Sequence, residues 1–361
     1  MRGIGSMKRT FSALAVLAAL LVALGVTPAR AAADPGQAAQ AALGWLLGRQ
    51  QDGGGFAGFD AGSSADAIFA IAAVGSDPNG VLKGGASPVS YLGTQAAGYA
   101  TKSPAAAGKL ALAVVAAGKD PRDFGGQNLI QIVQGSYSAQ TGQYGADVTG
   151  HVYALLALAS AGQPIPSEAL GALDKLQLAD GGWSFDGSAA TGSDTNTTAL
   201  AIQALAAAKA PGDALARALA YLRSQQNADG GFPYSKASSF GADTDANSTA
   251  AAIQAIVAAG QDPRAWRQSG GDPIDGLLKL QNPSGAFRYQ AAVPDDNDLA
   301  TAQAIPALLL KPFPIRSVSL PPVAPAPASL PKTGGAPGLT WLAGLALILL
   351  AAGLALRPRS A

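Results

Sequence analysis

Two kinds of apolar stretch alternate along this chain. One kind keeps charges on a single face, as around Asp174 and Lys175, Arg217 and Arg223, or Asp275 and Lys279, and reads as a half-exposed helix. The other is nearly all Ala, Leu, Ile, Val and Thr, as in residues 199–208 and 249–259, and reads as a helix buried all round. Stretches of the second kind follow short polar clusters: Ser63 to Asp66, Ser103-Pro104, Asp147 to Thr149, Asp194 to Thr197, Asp243 to Asn247 and Asp295 to Asp298. Ser, Thr, Asp or Asn just before an apolar run marks a helix start, because its side chain accepts from a backbone N–H that would otherwise lack a partner.

A short phrase sits between the two kinds. It reads Gln50 to Phe56, Gln177 to Trp183, Gln226 to Phe232 and Gln281 to Phe287, and all four fit Q-x3-G-x-[FW]. Weaker versions are Gln95 to Tyr99 and Gln140 to Tyr144. Their glycines, Gly54, Gly98, Gly142, Gly181, Gly230 and Gly285, mark six repeats of two helices each. Exposed and buried helices in alternation predict a ring, with the buried set inside. An open superhelix would leave its inner helices facing water on the concave side, so closure is expected. The predicted fold is all-α, an (α/α)6 toroid over residues 34–314.

Charge and composition narrow the chemistry. Setting aside Arg2, Lys8, Arg9, Arg30, Arg357 and Arg359 at the two ends leaves 18 of the 24 basic residues against 23 acids, near −5 for the part between. Such a surface gives no reason to bind nucleic acid. There is no cysteine and one histidine, His151, which leaves no Cys/His zinc cluster; no metal and no cofactor are expected.

The two ends read as addresses. Residues 1–33 carry a basic start, an apolar core from Phe11 to Val26 and small residues near Ala31, the pattern of a secretory signal peptide. Residues 315–329 form a Pro/Ala-rich tether. Residues 330–361 hold Leu330-Pro331-Lys332-Thr333-Gly334, an apolar run over 339–356 and a basic tail. These three parts in that order resemble a sortase sorting signal. The resemblance implies cleavage between Thr333 and Gly334, a sortase-type transpeptidase as partner and attachment to the cell envelope. Without such an enzyme the apolar run can act as a transmembrane segment. Either way the main domain is expected outside the cell, at its surface.

The repeated phrases resemble the QW repeats of squalene and oxidosqualene cyclases, within the terpenoid cyclase and protein prenyltransferase superfamily of α/α toroids. The resemblance implies structural roles for Gln177, Trp183, Gln226, Phe232, Gln281 and Phe287. Protein prenyltransferases hold zinc with an Asp, a Cys and a His, so a chain without cysteine is excluded from that activity. Class II terpene cyclases protonate an alkene with the middle Asp of D-x-D-D. The nearest match here, Asp243-Thr244-Asp245-Ala246, lacks the fourth acid. Vitamin B12 carriers also use this toroid, with a β-rich domain that has no counterpart here.

The candidate site is the ring mouth where the inner helices start. Asp66, Asp147, His151, Asp194, Asp296 and Asp298 are expected there, with Asp245 and Asp243 as candidate catalytic acids. Capping is the first expectation for these acids, and a hydrogen bond from His151 to Asp147 is the first expectation for the histidine. The expected function is a non-catalytic, surface-anchored module that binds a small molecule or glycan, or serves as a scaffold. Two alternatives stand beside it: a divergent terpene cyclase with an Asp general acid, and a carbohydrate-active toroid with paired carboxylates.

Overall fold

The computed structural model describes residues 34–56, 58, 61–239 and 241–316. The expected signal peptide, the sorting signal with Thr333 and Gly334 and the apolar run over 339–356 lie outside those residues. Among the described residues no helix is long and apolar enough to cross a membrane.

Twelve α-helices are described, in pairs. In chain order they are α1 (Pro35–Leu47) and α2 (Ala61–Ala73), α3 (Pro88–Ala100) and α4 (Pro104–Ala116), α5 (Leu129–Gly135) and α6 (Val148–Ser160). Then come α7 (Ser167–Lys175) and α8 (Thr195–Ala207), α9 (Ala214–Gln225) and α10 (Ala246–Ala258), α11 (Pro273–Leu278) and α12 (Asp298–Leu308). Two small hairpins, β1 (Tyr137–Ser138) with β2 (Gln143–Tyr144) and β3 (Arg288–Gln290) with β4 (Val293–Asp296), lie beside the phrases.

The even-numbered helices form a closed inner ring. Each packs on the next in the order α2, α4, α6, α8, α10 and α12, and α12 packs back on α2 and on α1. Five of the six are 13 residues long and α12 is 11. Their contact faces are small: Ala65, Ala107, Ala111, Ala154, Ala201 and Ala252 have no exposed surface. Alanine at these positions lets neighbouring helices approach closely while keeping strong helix propensity.

The phrases make the joints. Gln50 donates from Nε2 to Gly54 O at 3.1 Å and to Val81 O at 3.2 Å. Gln177 does the same to Gly181 O and Ala214 O, at 2.7 and 2.9 Å. Gln226 reaches Gly230 O and Trp266 O, at 2.9 and 2.7 Å. Gln281 reaches Gly285 O and Ala38 O, both at 2.9 Å, and so ties the last repeat to the first. One amide therefore satisfies a carbonyl of its own turn and a carbonyl of the following repeat. The expected arc-or-ring question is settled at this joint, where Arg49 also pairs with Asp298 at 2.9 Å.

The phrase glycine is where the next repeat presses in. A Cβ on Gly285 would stand 2.7 Å from Ala41 O, and one on Gly142 would stand 2.7 Å from Glu168 O. Both have positive φ, +92° and +76°. Gly142 is thus a true phrase glycine, as the sequence suggests. Gly98 is not: residues Gln95 to Tyr99 lie inside α3, and a Cβ on Gly98 would meet nothing within 4 Å. The α3–α4 link is a plain turn capped by Ser103.

The chain after α12 crosses the end of the ring opposite the mouth. Lys311 O accepts from Gln254 of α10, Phe313 N–H donates to Gln203 of α8, and Arg316 donates to Ser160 O of α6. The Phe313 ring meets Phe69 of α2 edge-on at 4.7 Å. Ile315 is buried, so residues 315 and 316, expected as tether, belong to the packed body.

Replacing Gln281 by Ala leaves two carbonyls without their donor, and unfolding in denaturant should show a loss of about 1–3 kcal/mol. Gly285→Ala should lose at least as much, because the new methyl meets backbone in a left-handed conformation.

Candidate functional site

Each phrase also fixes the start of the inner helix that follows it. The aromatic N–H donates to a hydroxyl one turn into that helix: Trp183 to Thr198, Phe232 to Thr249 and Phe287 to Thr301, at 3.0, 3.0 and 2.8 Å. The residue that caps the helix then donates its own N–H to the aromatic residue's carbonyl: Asp194 to Trp183, Asp245 to Phe232 and Asn297 to Phe287. The cap is thereby drawn under the phrase and away from water.

Three of the expected acids cap inner helices, and Asp296 and Asp298 do not. Asp147, Asp194 and Asp245 are N-caps, accepting at Oδ1 from Gly150, Thr197 and Ser248 N–H at 2.6, 2.7 and 2.7 Å. In the last repeat the cap is Asn297, and Asp298 is the first residue of α12, paired with Arg49. Asp296 is exposed on β4 and accepts from Asn282 and Ser284.

Three expectations need correction. Asp66 does not start a helix; α2 begins at Ala61, and Asp66 pairs with Lys109 at 2.7 Å from within it. Asp243 is exposed and stands apart from buried Asp245, so the two do not form a paired acid motif. His151 does not bond Asp147 through its ring. Its Nδ1 accepts from Tyr144 N–H at 3.0 Å and its Nε2 meets Ala169 O at 2.9 Å. That is the place Thr198, Thr249 and Thr301 hold elsewhere, so His151 is the structural hydroxyl's substitute in its repeat. Burial pushes its pKa down, against the bond to Ala169, in keeping with a neutral ring that accepts at Nδ1 and donates at Nε2.

Asp245 and Asp194 stand out chemically. Each is 1% exposed. Each uses Oδ1 for its cap bond and has Oδ2 buried without a hydrogen-bond partner of good geometry. A helix N-terminus alone would lower a carboxyl pKa. Here burial wins: it raises Asp245 to about 7 against the Ser248 N–H, and Asp194 to about 6 against the Thr197 N–H and hydroxyl and the Tyr234 hydroxyl. A share of Asp245 is therefore protonated up to about pH 7. Thr195, Asn196 and Ser248 add further buried oxygens without partners at the same two helix starts. Among the described residues no group of His, Cys, Asp or Glu is arranged to hold a metal ion.

The squalene-hopene cyclase C-terminal domain family matches residues 123–294, and the prenyltransferase alpha-alpha toroid domain family matches residues 7–61. The matches support a place in the terpenoid cyclase-like superfamily. A comparison with curated proteins finds no match. Among solved structures, a variant of the type II terpene cyclase MstE from Scytonema, in complex with its substrate geranylgeranyl dihydroxybenzoate, aligns with TM-score 0.56 at 15% identity, covering 77% of this chain and 97% of that one. Another MstE variant, with the product merosterolic acid A, aligns with TM-score 0.55 at 15% identity, covering 77% and 96%. A protein from Actinoplanes aligns with TM-score 0.56 at 15% identity, covering 76% and 98%. At this identity the likeness shows the fold. The expectation of a non-catalytic binding or scaffolding module is corrected by the squalene-hopene cyclase family match together with the two MstE neighbours, which are type II terpene cyclases solved with substrate and with product.

The sign of the Asp245 shift gives a pH test. A carboxyl raised from 3.8 to about 7 stabilises the fold fully below pH 3.8, and that stability is lost as pH rises through about 7. Asp245→Asn keeps a good cap and removes the titration. The difference in unfolding free energy between variant and wild type should therefore grow in favour of the variant between pH 4 and 8, as read from denaturant curves.

Proposed function

We propose that this chain is a divergent class II terpene cyclase-like enzyme with Asp245 as its general acid. The observation that carries the reading is the buried Asp245 carboxyl, with one oxygen held by Ser248 N–H, the other buried without a hydrogen-bond partner, and its pKa pushed up by burial to about 7. Alkene protonation needs such a group: an acid kept neutral at rest, in a place without water to take its proton.

In the proposed step the Oδ2–H bond breaks and a C–H bond forms at the less substituted carbon of a terminal alkene. The carboxylate left behind is stabilised where it sits. Ser248 N–H already faces Oδ1, and the α10 N-terminus supplies positive potential. A neighbouring alkene then captures the cation, a C–H bond beside the last cation breaks to leave an alkene with its proton passing to water, and the Asp245 carboxylate takes a proton back from solvent when the product leaves. Asp194 is the same device one repeat earlier, with a lower pKa and with the Tyr234 hydroxyl beside it. It is the second choice for the acid. The sixth repeat shows that capping alone does not demand a carboxyl, since Asn297 does that work. The carboxyls at 194 and 245 thus exceed what the fold requires.

The chain is proposed to work outside the cell, anchored by a sortase-type enzyme, on the strength of its two terminal signals. Its substrate is then an isoprenoid met outside the cytoplasm.

The test is turnover. The protein should cyclise a linear polyprenoid, for which squalene and geranylgeranyl dihydroxybenzoate are the first probes, followed by chromatography and mass spectrometry. Asp245→Asn should lose at least ~100-fold in rate with the fold intact, and wild-type kcat should fall as pH rises above about 7. Equal turnover by wild type and Asp245→Asn would remove Asp245 from the chemistry. Turnover lost in Asp194→Asn and kept in Asp245→Asn would transfer the role to Asp194.

A further inference from the structure

The third repeat makes its joint differently from the others. In the four strong phrases two neutral groups share the work. A glutamine amide reaches a carbonyl of the following repeat, as Gln177 does at Ala214 and Gln281 at Ala38. A hydroxyl on the inner helix accepts the aromatic residue's N–H, as Ser64 does from Phe56 and Thr249 from Phe232. In the third repeat Gln140 is exposed, and its side chain makes no such bridge among the described residues. One imidazole takes both roles there. His151 accepts at Nδ1 from Tyr144 N–H at 3.0 Å, and its Nε2 reaches Ala169 O of α7 at 2.9 Å.

That arrangement needs a neutral ring. A hydroxyl accepts and donates at once without titrating, and Thr249 does so, taking Phe232 N–H and giving its own hydrogen to Asp245 O. A protonated imidazole has two donors and no acceptor. A proton on Nδ1 would therefore set N–H against the Tyr144 N–H and leave that buried amide without a partner. The ring has no exposed surface and stacks on Tyr144 at 5.9 Å, so it cannot turn to water without moving the hairpin β1–β2. The hairpin in turn is pressed on α7, where a Cβ on Gly142 would stand 2.7 Å from Glu168 O.

Nothing offsets a charge on the ring. On the elements packed around α6 the titratable groups are Tyr137 and Tyr144 of the hairpin, Glu168, Asp174 and Lys175 of α7, Lys109 of α4 and Asp194 at the start of α8; α5 has none. On α6 itself they are Tyr153 and the cap Asp147. Glu168, Asp174 and Lys175 are exposed, Lys109 pairs with Asp66, and Asp147 and Asp194 cap their own helices. Both ring nitrogens of His151 meet backbone and neither meets a carboxylate.

We infer that His151 makes the joint between the third and fourth repeats a proton-operated latch: a proton on its ring releases the β1–β2 hairpin and the start of α7, while the joints made of amides and hydroxyls stay closed. The latch is independent of any chemistry at Asp245. Burial holds the ring's pKa below its ordinary 6.5, against the bond to Ala169. An opened joint titrates at 6.5, so the stability given by the neutral ring is present above 6.5 and is lost as pH falls below it toward the lower folded value. The buried caps act with the opposite sign. Burial raises Asp147, Asp194 and Asp245, so acid favours the folded form there.

Hydrogen exchange of the full chain, read by mass spectrometry between about pH 8 and pH 5 and corrected for the intrinsic pH dependence of exchange, tests the latch. Opening at residues 137–144 and 167–175 should increase by up to about 10-fold per pH unit below 6.5. The phrases at 177–183, 226–232 and 281–287 should keep their protection. His151→Gln supplies an acceptor and a donor and does not titrate, so its hairpin should stay protected across the range. His151 is the one histidine of the chain, so its ring signals in NMR need no assignment, and wild type alone should show a midpoint below 6.5. The inference is overturned if protection of the hairpin and α7 does not change with pH, if all the joints loosen together, if the loosening persists in His151→Gln, or if the ring titrates at or above 6.5.

Discussion

A single side-chain amide does the joining in this ring. Gln50, Gln177, Gln226 and Gln281 each bridge the carbonyl of their own phrase glycine and a carbonyl of the next repeat. Each joint works only because the glycine between them carries no side chain where the next repeat's backbone arrives. Both halves of the device are backbone-directed, so it tolerates outer helices as different as the 13 residues of α1 and the 6 of α11. Closure at Gln281 and Ala38 then removes the free ends that an open stack would have to shield from water.

The same device sets the surroundings of the caps. Pulling the aromatic residue under the next helix start also pulls the N-cap out of solvent. A cap at a protein surface is an ionised carboxylate helped by the helix dipole. A cap buried under Phe232 loses its hydration, and that loss outweighs the dipole and the cap bond. Where the cap is Asn297 nothing titrates. At Asp245 the outcome is a carboxyl whose pKa is pushed up to about 7. The proposed general acid thus differs from the Asn297 cap by a carboxyl in the place of an amide, at a helix start that the fold buries.

Much of the ring was legible in the sequence because its joints have fixed residue types at fixed spacing. The four strong phrases, the buried character of residues 199–208 and 249–259 and the caps at Asp147, Asp194 and Asp245 all hold. Gly142 also holds, in a hairpin rather than a bare turn. What failed was local pattern without tertiary confirmation. Gln95 to Tyr99 has a similar composition but sits inside α3. Ser63 to Asp66 looked like a cap cluster, yet α2 starts earlier and spends Ser64 on Phe56 N–H and Asp66 on Lys109. His151 was read against its neighbour in sequence, whereas its partners are set by the threonine position it replaces. Lys109 had a signal that went unread, a lone cation in an apolar helix; that it meets Asp66 needs the ring. The broken D-x-D-D match says nothing of how deeply Asp245 is buried, because a linear motif does not register depth.

The most direct test of this account is the protonation state of Asp245 itself. Carbon-13 NMR of aspartate side-chain carboxyls, followed through a pH titration with Asp245→Asn as the assignment control, reads it without any substrate. The account predicts one resonance with a midpoint of about 7 that vanishes in the variant. If Asp245 instead titrates at or below the ordinary value of 3.8, the carboxyl is an ionised cap and the proposed acid chemistry has no proton to give.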